Sequence, residues 1–246
     1  MAIREAFSGL CAENASRIAG SGGLLARVVP VTDDAISYPT PGQPVGAWLD
    51  ELGSAAPAPG GGAVAAMSTA TAAALVEMVS NLTVGRAAYA DHEEQVTAVR
   101  DAAHGLRQRA LEQLDEDATA FRALMTAYRL PRQAGQEQAA RQAAIQAATQ
   151  RAAAVPLEVA ATAAEVIELA GQLPGRSNPN VLSDVGVAAV TAAAAIEAAA
   201  VNVDVNLASL ADAEVKAALT AELDRHLAVA AQGRRLAARV RDQVAR

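Results

Sequence analysis

The sequence is poor in aromatic residues, cysteine and histidine, and each shortage excludes a class of protein. Only 2% of the 246 residues are aromatic, so the chain offers no platform for stacking nucleic-acid bases. The single cysteine, Cys11, excludes an intrachain disulfide framework and favours a reducing, cytoplasmic location. The three histidines (His92, His104 and His226) are scattered, so we predict no metal site.

Positive charge and long apolar runs are also scarce. The net charge is −7 and no basic cluster is present, which argues against a nucleic-acid partner. Residues 54–76 carry no charge, but Pro57 to Gly62 would break a helix and leave only fourteen residues before Glu77. The run from Val185 to Ile196 is shorter still. Both runs therefore predict buried core helices rather than membrane spans, and the N-terminus shows no secretory signal.

What the sequence has in abundance is small aliphatic residues. Hydrophobic residues make up 52% of the chain, chiefly Ala, Val and Leu. Alanine is the best helix former, and small side chains let helices pack closely. No strand-like alternation competes, so we predict an all-α fold: an antiparallel bundle of long helices. Since few aromatics are available to fill a core, we expect helix faces to be buried against a second subunit.

Two regions of the chain differ in composition. Residues 1–43 contain loop-rich stretches around Gly20–Gly23 and Pro39–Pro44, and they predict a loosely ordered extension. Residues 44–246 form the predicted helical domain. Ser183 or Asp184 is predicted to cap its fifth helix, and Pro156 either kinks the fourth or starts a second piece. The predicted helices cover 48–52, 63–82, 88–128, 137–172, 183–210 and 213 to the C-terminus.

A glycine triplet, Gly60, Gly61 and Gly62, stands before the second predicted helix. Glycine lets the backbone approach a ligand closely, and a helix N-terminus offers unpaired N–H groups to an anionic or carbonyl-bearing ligand. Most such turns only lead the chain into a helix, so the triplet alone is a weak signal.

Asp117 is the candidate catalytic residue of the third predicted helix. It occupies the one gap in an inward-facing stripe, three residues after Leu114 and four before Phe121. Its neighbours Asp115 and Glu116 are directed toward the margin and the far side. A buried carboxylate has a raised pKa, which suits proton transfer near neutral pH. The alternative is a structural salt bridge to an arginine, and the spacing alone does not decide between them.

Other polar residues have structural and functional interpretations. Asn202 and Asn206 lie one turn apart on one helix face; they could bind a heterocycle, but bonding a neighbouring backbone is the more common use of such amides. Arg86 could hold an anion, although a charge at a helix C-terminus is usually solvated. Asn178, Ser183 and Asp184 could be turn and cap residues.

Seven segments together resemble the cyclodeaminase/cyclohydrolase family of folate enzymes, and they occur in the family's order. The resemblance covers about residue 46 to the C-terminus and excludes the first 43 residues. Two positions depart from it: Asp204 is usually uncharged or basic, and Glu77 is often a small residue. The segments are Pro57–Gly62, Met78–Arg86, Asp117–Phe121, Tyr128–Pro131, Val155–Leu157, Asn178–Gly186 and Asn202–Leu207.

The resemblance implies an all-α homodimer that holds a tetrahydrofolate derivative near the subunit interface. Asp117 matches the acidic residue implicated in proton transfer. The residues expected around the folate are Gly60, Gly61, Gly62, Asn178, Ser183, Asp184, Asn202 and Asn206, with Arg86 as a candidate for an anionic group.

Two activities are known in this family. We expect the hydrolysis of 5,10-methenyltetrahydrofolate to 10-formyltetrahydrofolate, because this sequence includes no formiminotransferase domain to supply a formimino substrate. Formiminotetrahydrofolate cyclodeaminase, which releases ammonia, is the alternative, and a non-catalytic helical scaffold is the third possibility. No cofactor beyond tetrahydrofolate itself is expected.

Overall fold

The computed structural model describes residues 44–131 and 136–245, so the predicted extension over residues 1–43 lies outside the described residues. The described part is helical and contains no strand, as the sequence predicts. Two short 3₁₀-helices, Ala87–His92 and Pro179–Val181, connect the longer elements. The six α-helices are α1 Val45–Leu52, α2 Gly61–Asn81, α3 Glu93–Arg129, α4 Gln136–Gly171, α5 Leu182–Leu207 and α6 Ala213–Val244.

Four of these helices form an antiparallel bundle. Helix α2 packs on α3 and α5, and α4 packs on α3 and α5, so the four close into a ring. Helix α6 lies against α5 and α4 on the outside of that ring. The one tryptophan, Trp48, fixes the short helix α1 to the core with 5% of its surface exposed.

Small residues set the close spacing of the helices. The buried face of α2 consists largely of alanine, including Ala65, Ala66 and Ala72, all with no exposed surface. A Cβ atom at Gly233 of α6 would lie 2.9 Å from the carbonyl oxygen of Ala189 of α5 and 2.8 Å from Ile167 Cδ1 of α4. The three helices therefore approach at a distance that only glycine permits at that position.

Several predicted boundaries need correction. The third helix is broken: residues 87–92 form a 3₁₀ segment in which Tyr89 is non-helical, and α3 begins only at Glu93. Helix α4 runs without interruption through the buried Pro156. The predicted cap of α5 is wrong, because the helix begins at Leu182 and places Ser183 and Asp184 inside its first turn, with no side-chain cap bond. The negative charge of Asp184 in the first turn still stabilises the N-terminal end of α5.

Two helices are nevertheless long and apolar enough to cross a membrane by length and composition alone. They are α2 and the segment Pro179–Leu207, each of which continues past the glutamate that ends its uncharged run, Glu77 or Glu197. In each segment, 56% of the most apolar 18-residue stretch is buried inside the bundle, which is typical of core helices in soluble proteins.

Candidate active site

The glycine triplet forms the beginning of α2. Gly60 is the N-cap residue, and the first bond of the helix runs from the Val64 N–H to the Gly60 carbonyl, 3.1 Å. The first N–H groups of any helix have no partner in their own turn and must find one elsewhere. At this helix no side chain of the N-cap residue supplies one. The N-terminus of α2 is therefore open to groups from other helices.

Asp117 of α3 lies directly against this N-terminus. Its carboxylate accepts a hydrogen bond from the Ala63 backbone N–H. A Cβ atom at Gly62 would lie 2.1 Å from Asp117 Oδ1, so only glycine allows the carboxylate to approach this closely. The triplet and the aspartate, 55 residues apart in sequence, thus form one structural unit.

Burial makes the Asp117 carboxyl group a weaker acid than an ordinary aspartate. It raises the pKa of Asp117 from the ordinary 3.8 to about 6, and the Ala63 hydrogen bond works in the opposite direction. Its neighbours Asp115 and Glu116 are exposed, as predicted. No ion pair of Asp117 occurs within the described ranges, so the predicted alternative of a salt bridge to arginine is not found there.

The two asparagines of α5 have different surroundings. Asn202 donates to the Ala198 carbonyl at 2.8 Å, and a Cβ atom at Gly61 would lie 3.2 Å from its Oδ1. Asn202 therefore borders the glycine loop at Gly61, next to the position at Gly62 that Asp117 borders. Asn206 instead donates to the Ala152 carbonyl of α4 at 2.9 Å, which ties two helices together. Of the pair, only Asn202 contacts the candidate site.

A second polar group lies at the other end of α2. Asn178 is 4% exposed, and its backbone N–H donates to Thr83 Oγ1. Its side-chain Nδ2 donates to the Leu82 carbonyl, and its Oδ1 accepts from Asn180 N and Tyr89 OH. It thus ties the loop before α5 to the end of α2. Because α2 has 21 residues, this group is about 30 Å from Gly61.

Apart from Asn206, the predicted site residues therefore fall into two groups. Gly61, Gly62, Asp117 and Asn202 lie together at the start of α2. Arg86, which is exposed, follows the end of α2, and Ser183 and Asp184 follow the Asn178 loop. Within one chain the structure does not bring this second group to Asp117.

Glu77 has a structural role that the sequence did not suggest. Its carboxylate accepts from Arg107 Nε at 2.9 Å and contacts His104 Nδ1 at 3.0 Å, both on α3. His104 thus pairs with Glu77, and Asp101, on the same helix, pairs with Arg100.

Sequence reasoning overlooked one buried polar pair, Gln113 of α3 and Thr162 of α4. Gln113 is 5% exposed and donates to Thr162 Oγ1 at 3.1 Å. The signal was available, since Gln113 is four residues before Asp117 and shares its inward side of the helix. No group of three or more metal-ligating side chains occurs in the part of the chain that the structure describes.

Comparison with protein families and curated sequences gives a consistent result. Residues 44–225 match the family model described as formiminotransferase-cyclodeaminase. The chain is 45% identical over 165 residues to a methenyltetrahydrofolate cyclohydrolase of Methylorubrum extorquens, covering 67% of this chain and 79% of that one. It is 33% identical over 166 residues to a formimidoyltransferase-cyclodeaminase of Rattus norvegicus, of which it covers 31%.

A solved structure shares the fold. The crystal structure of formiminotetrahydrofolate cyclodeaminase from Thermotoga maritima superposes with a TM-score of 0.76 at 25% sequence identity. The match covers 83% of this chain and 98% of that one. It therefore includes nearly all of the helical domain in which Asp117 and the glycine loop lie.

Proposed function

Since the chain belongs to the formiminotransferase-cyclodeaminase family, we propose that it hydrolyses 5,10-methenyltetrahydrofolate to 10-formyltetrahydrofolate. The 45% identity to a methenyltetrahydrofolate cyclohydrolase, which the chain matches over 79% of that protein's length, supports this reaction. The bifunctional relatives are less similar, at 33% identity.

One observation carries the proposal: the partly buried Asp117 carboxylate lies against the glycine N-terminus of α2, with its pKa raised to about 6. At pH 7 most of this group is ionised and can accept a proton. Once protonated, it is acidic enough to return the proton. A group whose pKa lies near the working pH is the most effective acid–base catalyst.

The Asp117 carboxylate alone can supply the proton transfers of this reaction. Water adds to the electrophilic methenyl carbon between N5 and N10, while Asp117 removes a proton from the water. The C–N5 bond then breaks, Asp117 protonates N5, and the hydroxyl loses its proton to become the formyl group on N10. The N–H groups at the start of α2 and the Asn202 amide border the same glycine loop as the carboxylate and can orient the pterin.

We propose no cofactor beyond tetrahydrofolate. The methenyl carbon is already an electrophile, since it carries a positive charge shared with N5 and N10. The protein therefore has to position water and move protons, and one carboxylate supplies that chemistry.

Cyclodeaminase activity is the second candidate, and the structural relative from Thermotoga maritima favours it. In that reaction N10 attacks the formimino carbon and ammonia leaves. Asp117 would protonate the leaving nitrogen at the same position.

An assay of the purified protein with each substrate tests the choice. We expect the absorbance of methenyltetrahydrofolate to fall faster with enzyme than in buffer alone, and ammonia release from formiminotetrahydrofolate to be slower. Ammonia release as the faster activity would favour the cyclodeaminase. A lack of both activities would favour the non-catalytic scaffold.

We also propose that the protein is a homodimer that buries an apolar surface of α5 and α2. The α5 part consists of Val187, Val190, Val201 and Val205, spaced along one face with exposures of 49%, 41%, 64% and 48%. Met78 of α2 is also exposed. A continuous apolar surface of this kind is uncommon on a monomer. Val201 is adjacent to Asn202, so this interface would lie beside the candidate site.

Light scattering during gel filtration tests the dimer. Val190→Asp and Val201→Asp place a charge in the apolar surface, and we expect both to shift the mass toward that of a monomer. Val45→Asp is the matched control, because Val45 is a 68% exposed valine on α1, outside this surface. A monomeric wild-type protein would contradict the proposal.

Finally, we propose a cytoplasmic location. In both α2 and the segment Pro179–Leu207, more than half of the most apolar 18-residue stretch is buried inside the bundle. The proposed dimer covers part of the remainder. Fractionation of cells that express the protein would test this, since recovery in the membrane pellet would contradict it.

A further inference from the structure

The amide of Gln113 has a fixed orientation. Its Nε2 lies 3.1 Å from Thr162 Oγ1, and that hydroxyl donates its own hydrogen to the Glu158 carbonyl at 3.0 Å. A hydroxyl has only one hydrogen, so Thr162 must accept from Gln113. The NH₂ end of the amide therefore faces Thr162, and Oε1 points away from it.

This Oε1 is buried and has no hydrogen-bond partner among the described residues. Buried acceptors are nearly always bonded, to protein or to water. Gln146 of α4 shows the usual arrangement, since its Nε2 donates to the Ser209 carbonyl and its Oε1 accepts from Ala211 N. The free acceptor of Gln113 calls for a water molecule.

A cavity large enough for water lies beside the Gln113 side chain. Gln113 and Thr162 are the buried residues of a cavity of about 270 Å³ between α3 and α4, large enough for several water molecules. Its mouth is exposed and mostly acidic. Arg109 pairs with one of the glutamates there at 2.9 Å, and Arg151 pairs with two others. The four glutamates of the mouth are Glu112, Glu116, Glu158 and Glu165.

The proposed reaction requires a route of this kind. Hydrolysis converts the methenyl cation and one water into the neutral 10-formyl product and one proton. Both protons of the water are removed and N5 takes only one, so one proton must reach solvent in each turnover. Gln113 is four residues before Asp117, which is about 6 Å along the helix axis.

We propose that Gln113 is a positioning residue for proton release: its Oε1 holds a water that links Asp117 to the α3–α4 cavity and its glutamates. The proposal rests on the proposed hydrolase function. The route leaves on the α4 side of α3, so it stays open while folate occupies the glycine side. The glutamate carboxylates then pass the proton to solvent.

Replacing Gln113 by an apolar residue of similar size tests the route. In Gln113→Met, at low buffer concentration, we expect kcat to fall at least tenfold while KM stays within twofold. Added imidazole, a small proton carrier, should restore kcat after subtraction of the uncatalysed rate at each concentration. Gln113→Glu keeps an oxygen at this position, and we expect it to retain most of the activity without imidazole.

Two comparisons complete the experiment. Thr162→Val removes the acceptor that orients the amide, so it should show a smaller loss that imidazole also restores. Gln146→Met removes a glutamine with no free acceptor, so its kcat should not depend on imidazole.

An unchanged kcat in Gln113→Met, or a loss that imidazole does not restore, would overturn the route alone. A wild-type protein without hydrolase activity would overturn the proposed function and the route with it.

Discussion

The two ends of α2 hold polar side chains in opposite ways. At the C-terminal end, Asn178 uses its backbone N–H and both atoms of its amide in hydrogen bonds to neighbouring groups. At the N-terminal end, Asp117 has one bond to the Ala63 N–H, and burial shifts its pKa to about 6. Satisfied polar groups stabilise a fold, whereas groups held in place but incompletely satisfied are available for chemistry.

The largest expected effect is the loss of kcat on replacing Asp117, whose carboxylate has one hydrogen bond, to the Ala63 N–H. Asp117→Asn keeps an oxygen for the Ala63 N–H but cannot accept a proton from water. We expect kcat to fall by about 10² to 10⁴. In the wild type, kcat/KM should fall about tenfold per pH unit below pH 6, as the base becomes protonated.

The same variant should be more stable than the wild type at neutral pH. The folded-state pKa of Asp117 lies above its unfolded value of 3.8, so the contribution of this group to stability is highest below pH 3.8 and is lost as the pH rises through about 6. Above pH 6 we expect the unfolding free energy of Asp117→Asn to be about 3 kcal/mol higher than that of the wild type. Denaturation at pH 3.5 and pH 7.5 measures this, and equal differences at both pH values would contradict it.

Next in size is Gly62→Ala, which adds a methyl group 2.1 Å from Asp117 Oδ1. The carboxylate must move, so we expect at least a tenfold loss of kcat and a destabilisation of about 1 to 3 kcal/mol. Gly60→Ala is the matched control for stability, because its Cβ would meet nothing within 4 Å. Similar melting temperatures for the two variants would contradict the steric argument.

At the other end of α2, Asn178→Ala should affect stability more than catalysis. It removes bonds to the Leu82 carbonyl, Asn180 N and Tyr89 OH, and we expect a loss of about 1 to 3 kcal/mol in the unfolding free energy. Chemical denaturation and steady-state kinetics at low temperature separate the two effects. A large rise in KM at normal stability would instead place Asn178 in contact with folate.

The smallest expected effect is that of Glu77→Gln. Although burial opposes it, bonds to Arg107 and His104 hold the pKa of Glu77 below its ordinary value. The pair therefore stabilises the fold above the unfolded pKa, and this contribution is lost as the pH falls through the folded pKa. We expect a loss of about 0.5 to 1 kcal/mol at pH 7 that disappears in acid, with kcat unaffected.

The sequence predicts the local features of this fold better than the contacts between helices. Alanine content and the inward stripe correctly predict a helical bundle with Asp117 facing inward, because both depend on neighbouring residues in sequence. The contact of Asp117 with Gly62, the pairing of Glu77 with α3 and the Gln113–Thr162 bond depend on how distant helices pack. Spacing along one helix carries no information about these partners.

The hydrogen bond between Asp117 and the Ala63 amide has a practical consequence. This single N–H reports on the carboxylate, since its hydrogen bond to the Asp117 oxygen slows deuterium exchange at Ala63. A ligand or substitution that draws Asp117 away would accelerate exchange at that amide before any product forms. NMR could therefore follow occupancy of the candidate site through one backbone resonance, without a chromophore and without turnover.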